Sequence, residues 1–413
     1  MKKTLILIAA VAFVSSVASA ELLKNFHYKG SVEINAYNVN NTDFNKDADD
    51  KYGDVDTRLM LDMNFNFNDD VSGVVSVVKN NRQWGTASEN LDTIKNNLFV
   101  EQAHLNLKGI MGMEHKVGRQ YYGNPNDLVI YFGPYGWPYI TQMPVSALDA
   151  WSGVYKYNNW TFTGLLGKIN QQAGNMGENI SGLDIKTKIE DYKLDFNAYY
   201  YYKVDNTVAP SDKLSLIGGR FNWDCSNYVK DLTISLEYDA NRGSDNNRIP
   251  YRGYAHKGNV NYKLNLGGNL GLTGEYVYIS GDDAGTNKDE EYYGINPDYR
   301  PGIILGSDIA NWVYIGSIGN GYKGPILSAN WTPEKLSKLN IAATYYNMKV
   351  VRENPLAKKS TIGNEYDIVA TWNHSEDIAI KAYYAMFKPE KDNTLHNNDD
   401  VQTALGAAFI VKF

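Results

Sequence analysis

Val401-Gln402-Thr403-Ala404-Leu405-Gly406-Ala407-Ala408-Phe409-Ile410-Val411-Lys412-Phe413 alternates along its whole length. Val401, Thr403, Leu405, Ala407, Phe409, Val411 and Phe413 fall on one face, because successive side chains of a strand point to opposite sides. In water, a bare apolar strand of this kind is an open edge that invites aggregation. A barrel closed on itself in lipid has no edge, and its last strand pairs with its first. The stretch therefore predicts a transmembrane strand whose aromatic end, Phe413, sits at the rim.

The same pattern recurs upstream. In 58–68, Leu59, Leu61, Met63, Phe65 and Phe67 alternate with Met60, Asp62, Asn64 and Asn66, a period of two with one wholly apolar face. Asn68-Asp69-Asp70 turns this strand into 71–78. Further hairpins are expected over 99–108 with 113–120, 151–157 with 160–169, and 183–189 with 193–202. Asn158-Asn159 supplies a favoured two-residue turn in the second of these. Later pairs are 214–223 with 232–239, 255–264 with 270–280, 325–331 with 339–348, and 365–372 with 378–387. With 28–37 first and 401–413 last, the reading is an all-β, transmembrane, antiparallel up-and-down barrel of about 18 strands, within a range of 16–20. Short turns alternate with long polar connections, as periplasmic turns alternate with external loops in such barrels. The first strand, 28–37, is the expected partner of the last.

At the other end of the chain, Met1-Lys2-Lys3 precedes an apolar run from Leu5 to Val14 and then Ala18-Ser19-Ala20. This is the layout of a cleaved secretory signal, so residues 1–20 are expected to be removed and 21–413 to form a single barrel domain. Losing Lys2 and Lys3 takes the formal charge from −7 to −9. The run is too short for a spanning helix, which needs about 20 apolar residues. Gly (36) and Tyr (32) are abundant and apolar residues are spread evenly, which suits an aromatic-girdled sheet better than helices. Cys225, the single cysteine, cannot form an internal disulfide and sits in a turn-like segment.

Catalytic motifs are missing: there is no G-x-S-x-G elbow, H-E-x-x-H, C-x-x-C or phosphate loop. A wall-mounted hydrolase using His104 with a cross-strand serine is the enzymatic alternative, and a lumen-lining histidine is the plain one. No nucleic-acid partner and no cofactor is expected. With the apolar face set to lipid, the opposite face presents Arg58, Asp62, His104, Lys108, Glu237, Asp239, Glu365, Asp367 and Lys381. Charged side chains cost about 2–4 kcal/mol on a lipid face at mid-membrane, so these are expected to line water. Arg119 and Arg220 are also assigned to the lumen, where guanidinium groups hold anionic or hydroxylated solutes. Alternation alone puts Arg119 with His115 and Val117, and a bulge at Gly218-Gly219 would set the face of Arg220.

The loops carry the remaining candidates. The two longest, 121–148 and 281–324, are expected to fold inward and narrow the channel. Tyr131, Phe132, Tyr135, Trp137 and Tyr139, set among Gly and Pro, either stack on sugar-like solutes or anchor the loop to the wall. Asp43, Asp47, Asp49 and Asp50 form an acidic rim that attracts cations; a loop-bound Ca²⁺ is the sharper reading, but the order and glycine of a defined calcium loop are missing.

On these residues the chain resembles a Gram-negative outer-membrane porin. Phe99-Val100-Glu101-Gln102-Ala103-His104-Leu105-Asn106-Leu107, followed by Lys116-Val117-Gly118-Arg119-Gln120, resembles the alginate-export-like family of 18-stranded barrels. That resemblance implies that Arg119 and Arg58 belong to a basic constriction. Phe413 resembles the signal read by the barrel-assembly machinery. The implied location is the outer membrane, in contact with lipid and lipopolysaccharide, and a homotrimer is compatible with the pattern. An exporter of anionic polysaccharide needs a mainly basic pore, whereas this lumen face mixes signs. A diffusion channel for small hydrophilic solutes is therefore the first expectation, with polysaccharide or oligosaccharide export second and a plugged structural or adhesive barrel third.

Overall fold

The computed structural model describes residues 25–83, 98–134, 146–171, 177–283, 285–297, 299–306, 321–352, 360–391 and 398–413. The expected signal segment, 1–20, lies outside them. The strands in chain order are β1 (Phe26–Asn40), β2 (Tyr52–Asn66), β3 (Val71–Gln83), β4 (Leu98–Ile110), β5 (Met113–Gln120), β6 (Tyr122–Gly123), β7 (Tyr131–Phe132), β8 (Leu148–Tyr157), β9 (Trp160–Gln171) and β10 (Gly177–Ile189). They continue with β11 (Leu194–Asp205), β12 (Asp212–Asp224), β13 (Leu232–Ser244), β14 (Tyr254–Asn265), β15 (Gly268–Ile279), β16 (Tyr322–Pro333), β17 (Leu339–Val350), β18 (Thr361–Asn373), β19 (Ile378–Pro389) and β20 (Gln402–Lys412).

Eighteen of these form one antiparallel sheet, each paired with the next in the chain, while β6 and β7 make a small separate hairpin between β5 and β8. The sheet closes where β20 pairs with β1, from Ser31 opposite Lys412 to Asn40 opposite Thr403. Every strand expected from alternation is present, and the partner expected for the last strand is the observed one. Closure leaves no unpaired edge, which is what a sheet in hydrocarbon requires.

Alternation sets the faces. On β20, Leu405, Ala407 and Phe409 point outward and are exposed, while Gln402, Ala404, Gly406 and Ala408 point inward and are buried. Strands are longer than the periodicity suggested; β1 and β2 have 15 residues each. The added residues lie mostly at the long-loop end, where the inward face turns apolar: Val39, Leu148, Ile180 and Ile362 are buried there. There the alternation inverts, with apolar residues inward and Asn38, Asp149 and Asn179 outward, so a search for an apolar outward face stops these strands short.

At the short-turn end the seam is finished by Phe413. Its backbone N–H donates to Gly30 O at 3.0 Å and its carbonyl accepts from Gly30 N at 2.8 Å. Its ring lies over Gly30, where a Cβ would come within 2.6 Å of both the ring and the Met60 carbonyl oxygen. Because the carbonyl belongs to the sheet ladder, only the ring could give way. Gly30→Val is therefore expected to cost roughly 1–3 kcal/mol by overpacking. Thermal unfolding of the detergent-folded barrel measures this; an unchanged midpoint would show that the ring does not close the seam.

Candidate functional site

Two long connections enter the barrel and meet inside it. In the connection 121–147, Tyr122 pairs with Phe132 and Gly123 with Tyr131. Gly123 has φ +83°, and a Cβ there would lie 2.1 Å from Ile130 O, so this tight hairpin needs glycine. The turn presses Leu128, Val129, Ile130 and Phe132 against inward wall residues Leu148, Leu165, Ile180, Tyr201 and Leu216. The connection 280–321 joins it through a parallel bridge between Ile130 and Ile295. Ile295 N donates to Val129 O at 2.6 Å, Tyr292 Oη to Leu128 O at 3.1 Å, and Asn296 Nδ2 to Tyr131 O at 2.7 Å. Further on, Ile303, Ile304 and Leu305 bury against Val277, Ile326, Met348 and Phe387, with Phe44 from the 41–51 connection beside them.

Wall carboxylates hold these insertions by their backbones. Glu365 is 0 % exposed and accepts from Ile304 N at 2.8 Å and Leu305 N at 2.7 Å. Asp367 accepts from Ile303 N at 3.2 Å. Gly302, with φ +82°, lets the chain come so close that a Cβ would sit 2.7 Å from the Glu365 carboxylate. The other insertion is tied through Glu237, which accepts from Arg220 Nε at 2.9 Å, pairs with Lys257 at 3.4 Å and accepts from Leu128 N at 3.4 Å. Arg220 also reaches Asp127 at 2.9 Å and lies over the Tyr199 ring at 4.9 Å. Lys257 donates to Asn126 O at 2.7 Å, and Tyr199 Oη donates to Asp239 at 2.6 Å. Burial pushes the Asp127 carboxyl above its ordinary range, while the Arg220 guanidinium pulls it back down.

The inward-folding expectation for both long loops thus matches the described parts of each. The expectation that Glu237, Asp239, Glu365 and Asp367 simply line water needs correction: all four face inward, but they are buried and occupied by loop backbone or by neighbouring side chains. Arg220 faces inward by plain alternation, with continuous pairing to both neighbours and no bulge at Gly218-Gly219.

Arg119 is the clearest departure. It pairs in register with Ala103 and Asp149, which lie on the outward face with Leu105, Val117 and Trp151. There it contacts Asp149 at 3.6 Å and Glu101 at 3.8 Å, away from the lumen. Alternation had grouped it with Val117, and the basic-constriction role implied by family resemblance does not suit that position.

On β2, Arg58 is 4 % exposed and donates to Glu33 at 2.7 Å. Ser76 Oγ donates to Asp62 at 2.5 Å and accepts from Gln102 Nε2 at 2.9 Å. His104 is buried on the inward face, and no serine among the described residues is hydrogen-bonded to it. Lys108 is exposed beside the turn into β5, and Lys381 lies inward on β19 with Tyr383 and Ala385. Tyr131 and Phe132 are buried as loop anchors; Tyr135, Trp137 and Tyr139 fall outside the described residues. Asp50 accepts from Asn41 N, Asp43 N and Thr42 Oγ1, so it shapes its own loop, and Asp43, Asp47 and Asp49 do not gather with it into a cluster suited to a metal.

Below the insertions, toward the short turns, lies a polar hollow against β9–β12. It comprises adjoining cavities of about 130 and 370 Å³ that share Asn124, Lys186 and Arg220. Lys188, Asp127, Asp184 and Asp195 complete its charged lining, so neither sign dominates. Lys186, Lys188 and Lys257 lie inside the expected strands 183–189 and 255–264, and alternation applied there would have found them. Asp127 could not, since nothing in a loop sequence says which wall residue it will meet.

Replacing Glu365 with Ala leaves two buried N–H groups without their acceptor, a loss of roughly 2–4 kcal/mol. Amide hydrogen exchange in 300–306 is expected to speed up accordingly while the strand ladders keep their protection. Unchanged exchange in that segment would mean that the carboxylate does not hold it.

No family model and no curated protein matches the chain. Among solved structures it is similar to OprD of Pseudomonas aeruginosa, with TM-score 0.60 and 11 % identity over 95 % of this chain and 96 % of that one. It is also similar to OccD3 (OpdP) of the same organism, with TM-score 0.59 and 11 % identity over 95 % and 92 %. A BenF-like porin from Pseudomonas fluorescens Pf-5 gives TM-score 0.59 and 10 % identity over 94 % and 99 %. These matches do not support the narrower alginate-export-like resemblance. At this identity the likeness is one of fold: the chain forms the closed 18-strand antiparallel barrel seen in these porins.

Proposed function

We propose that the protein is an outer-membrane channel through which small hydrophilic solutes diffuse passively. The observation that carries this reading is the pairing of an apolar outward face with an inward face of charged and polar groups, constricted by two loops anchored inside the ring. An apolar exterior suits lipid, and a polar interior of mixed charge suits water and dissolved solutes. The porin-like fold of the solved structures supports the same reading, as does the expected export signal at 1–20. Phe413 is the residue that the assembly machinery would read.

The charge balance of the hollow bears on selection. Arg220 is paired there with Asp127 at 2.9 Å and Lys186 with Asp184 at 3.6 Å, and Lys188 stands in register with Asp195. Sorting then rests on size and hydrogen bonding, with only modest preference for one sign of charge. Two packed insertions also favour small solutes over a polysaccharide chain.

Purified protein in planar bilayers is expected to show stepwise conductance; a preparation that folds but never conducts would sink the proposal. Lys186→Gln removes a lysine of the hollow and should lower the anion-to-cation permeability ratio. Arg119→Gln, on the outer face, should leave that ratio unchanged. A shift with Arg119→Gln and none with Lys186→Gln would place the ion path elsewhere.

A further inference from the structure

The outward face carries its charge at one end only. Near the short turns that face is aromatic, with Tyr28, Phe65, Trp160, Trp223, Trp331 and Trp372. At the long-loop end the outward positions include Arg119, Lys168, Lys213, Arg242, Lys323 and Lys349. The acids beside them, Asp149 and Glu101, already contact Arg119. The other carboxylates on the described strands face inward.

Lys323 and Lys349 are the telling pair. They stand directly opposite each other on β16 and β17, and Lys323 is opposite Tyr278 on its other side. Like charges facing across two strands destabilise a sheet. Among the described residues no carboxylate forms a salt bridge with either. In the connection after β15, Asp283 and Glu290 are engaged by Arg352 at 3.5 and 3.3 Å. Beside Lys323, Tyr278 stacks on Tyr254 with ring centroids 5.2 Å apart, as rings do at the level of lipid headgroups.

We propose that this rim binds the phosphate groups of an anionic glycolipid in the surrounding leaflet, with Lys323 and Lys349 sharing one phosphate. The anion comes from lipid because both lysines project from the lipid-facing side of the wall, level with the outward tyrosine stack. A shared phosphate turns a repulsive pair into two charge-assisted contacts. It also orients the barrel, with its long loops on the side of the phosphorylated leaflet. The inference rests on the barrel lying in a membrane, as proposed above.

The test is retention of bisphosphorylated lipid A by the full-length barrel, counted by native mass spectrometry after reconstitution in phosphatidylcholine nanodiscs doped with that lipid. The double variant K323Q/K349Q is expected to retain it roughly tenfold less than the wild type. Phosphatase-treated lipid A should be held weakly by both, and Lys335→Gln at the short-turn end should change nothing. Equal retention by wild type and double variant, or equal retention of the dephosphorylated lipid, overturns the proposal. K323Q and K349Q singly, each with intermediate retention, carry the test should the double variant fail to fold. Bilayer conductance of the same preparations separates the two readings: lipid loss with conductance intact concerns this rim alone, and absence of conductance throughout concerns the channel.

Discussion

Everything in this structure depends on satisfying backbone hydrogen bonds without water. Outside the ring the apolar face suits hydrocarbon, where an unpaired N–H or C=O costs several kcal/mol, so the sheet must close. The β1–β20 seam does this, and Phe413 finishes it at Gly30, where a larger residue would strike both a ring and a ladder carbonyl. Closure in turn fixes which side of every strand is inward.

The same constraint reappears inside the ring in another form. Loop segments buried there bring N–H groups that need acceptors, and the wall supplies carboxylates at the matching height: Glu365 and Asp367 for 303–305, and Glu237 for Leu128. Each carboxylate would be costly if left alone, and each loop would be costly without it. Apolar packing around Leu128–Ile130 and Ile303–Leu305 then excludes water and strengthens these bonds. Charge that looks like pore lining in sequence therefore serves partly as scaffolding. The polar hollow against β9–β12 is left beneath the insertions.

Much of the fold was legible because a period of two survives wherever one face meets lipid and the other meets polar groups. Leu59 to Phe67 and the strand ending at Phe413 are examples, and their faces are as expected. Legibility failed where the alternation inverts, as at Val39, Leu148 and Ile180: there the inward face is apolar because it meets a loop, and the outward neighbours are polar. Arg119 shows a different failure. Strict alternation already placed it beside Val117, but an expectation about what arginines do in pores overrode the geometry.

By itself, the sequence determined the closed antiparallel barrel, the alternation of short turns and long loops, and the partner of the last strand, since these follow from local periodicity and turn residues. The tertiary structure alone decided which charges line the polar hollow and which hold loops. It also decided that Asp127 meets Arg220 and that Glu365 meets the backbone of Ile304 and Leu305. The physical reason is separation along the chain: Glu365 lies about 60 residues beyond the N–H groups it accepts. No local pattern encodes such a contact, because it exists only once the ring has closed and the loops have a wall to meet.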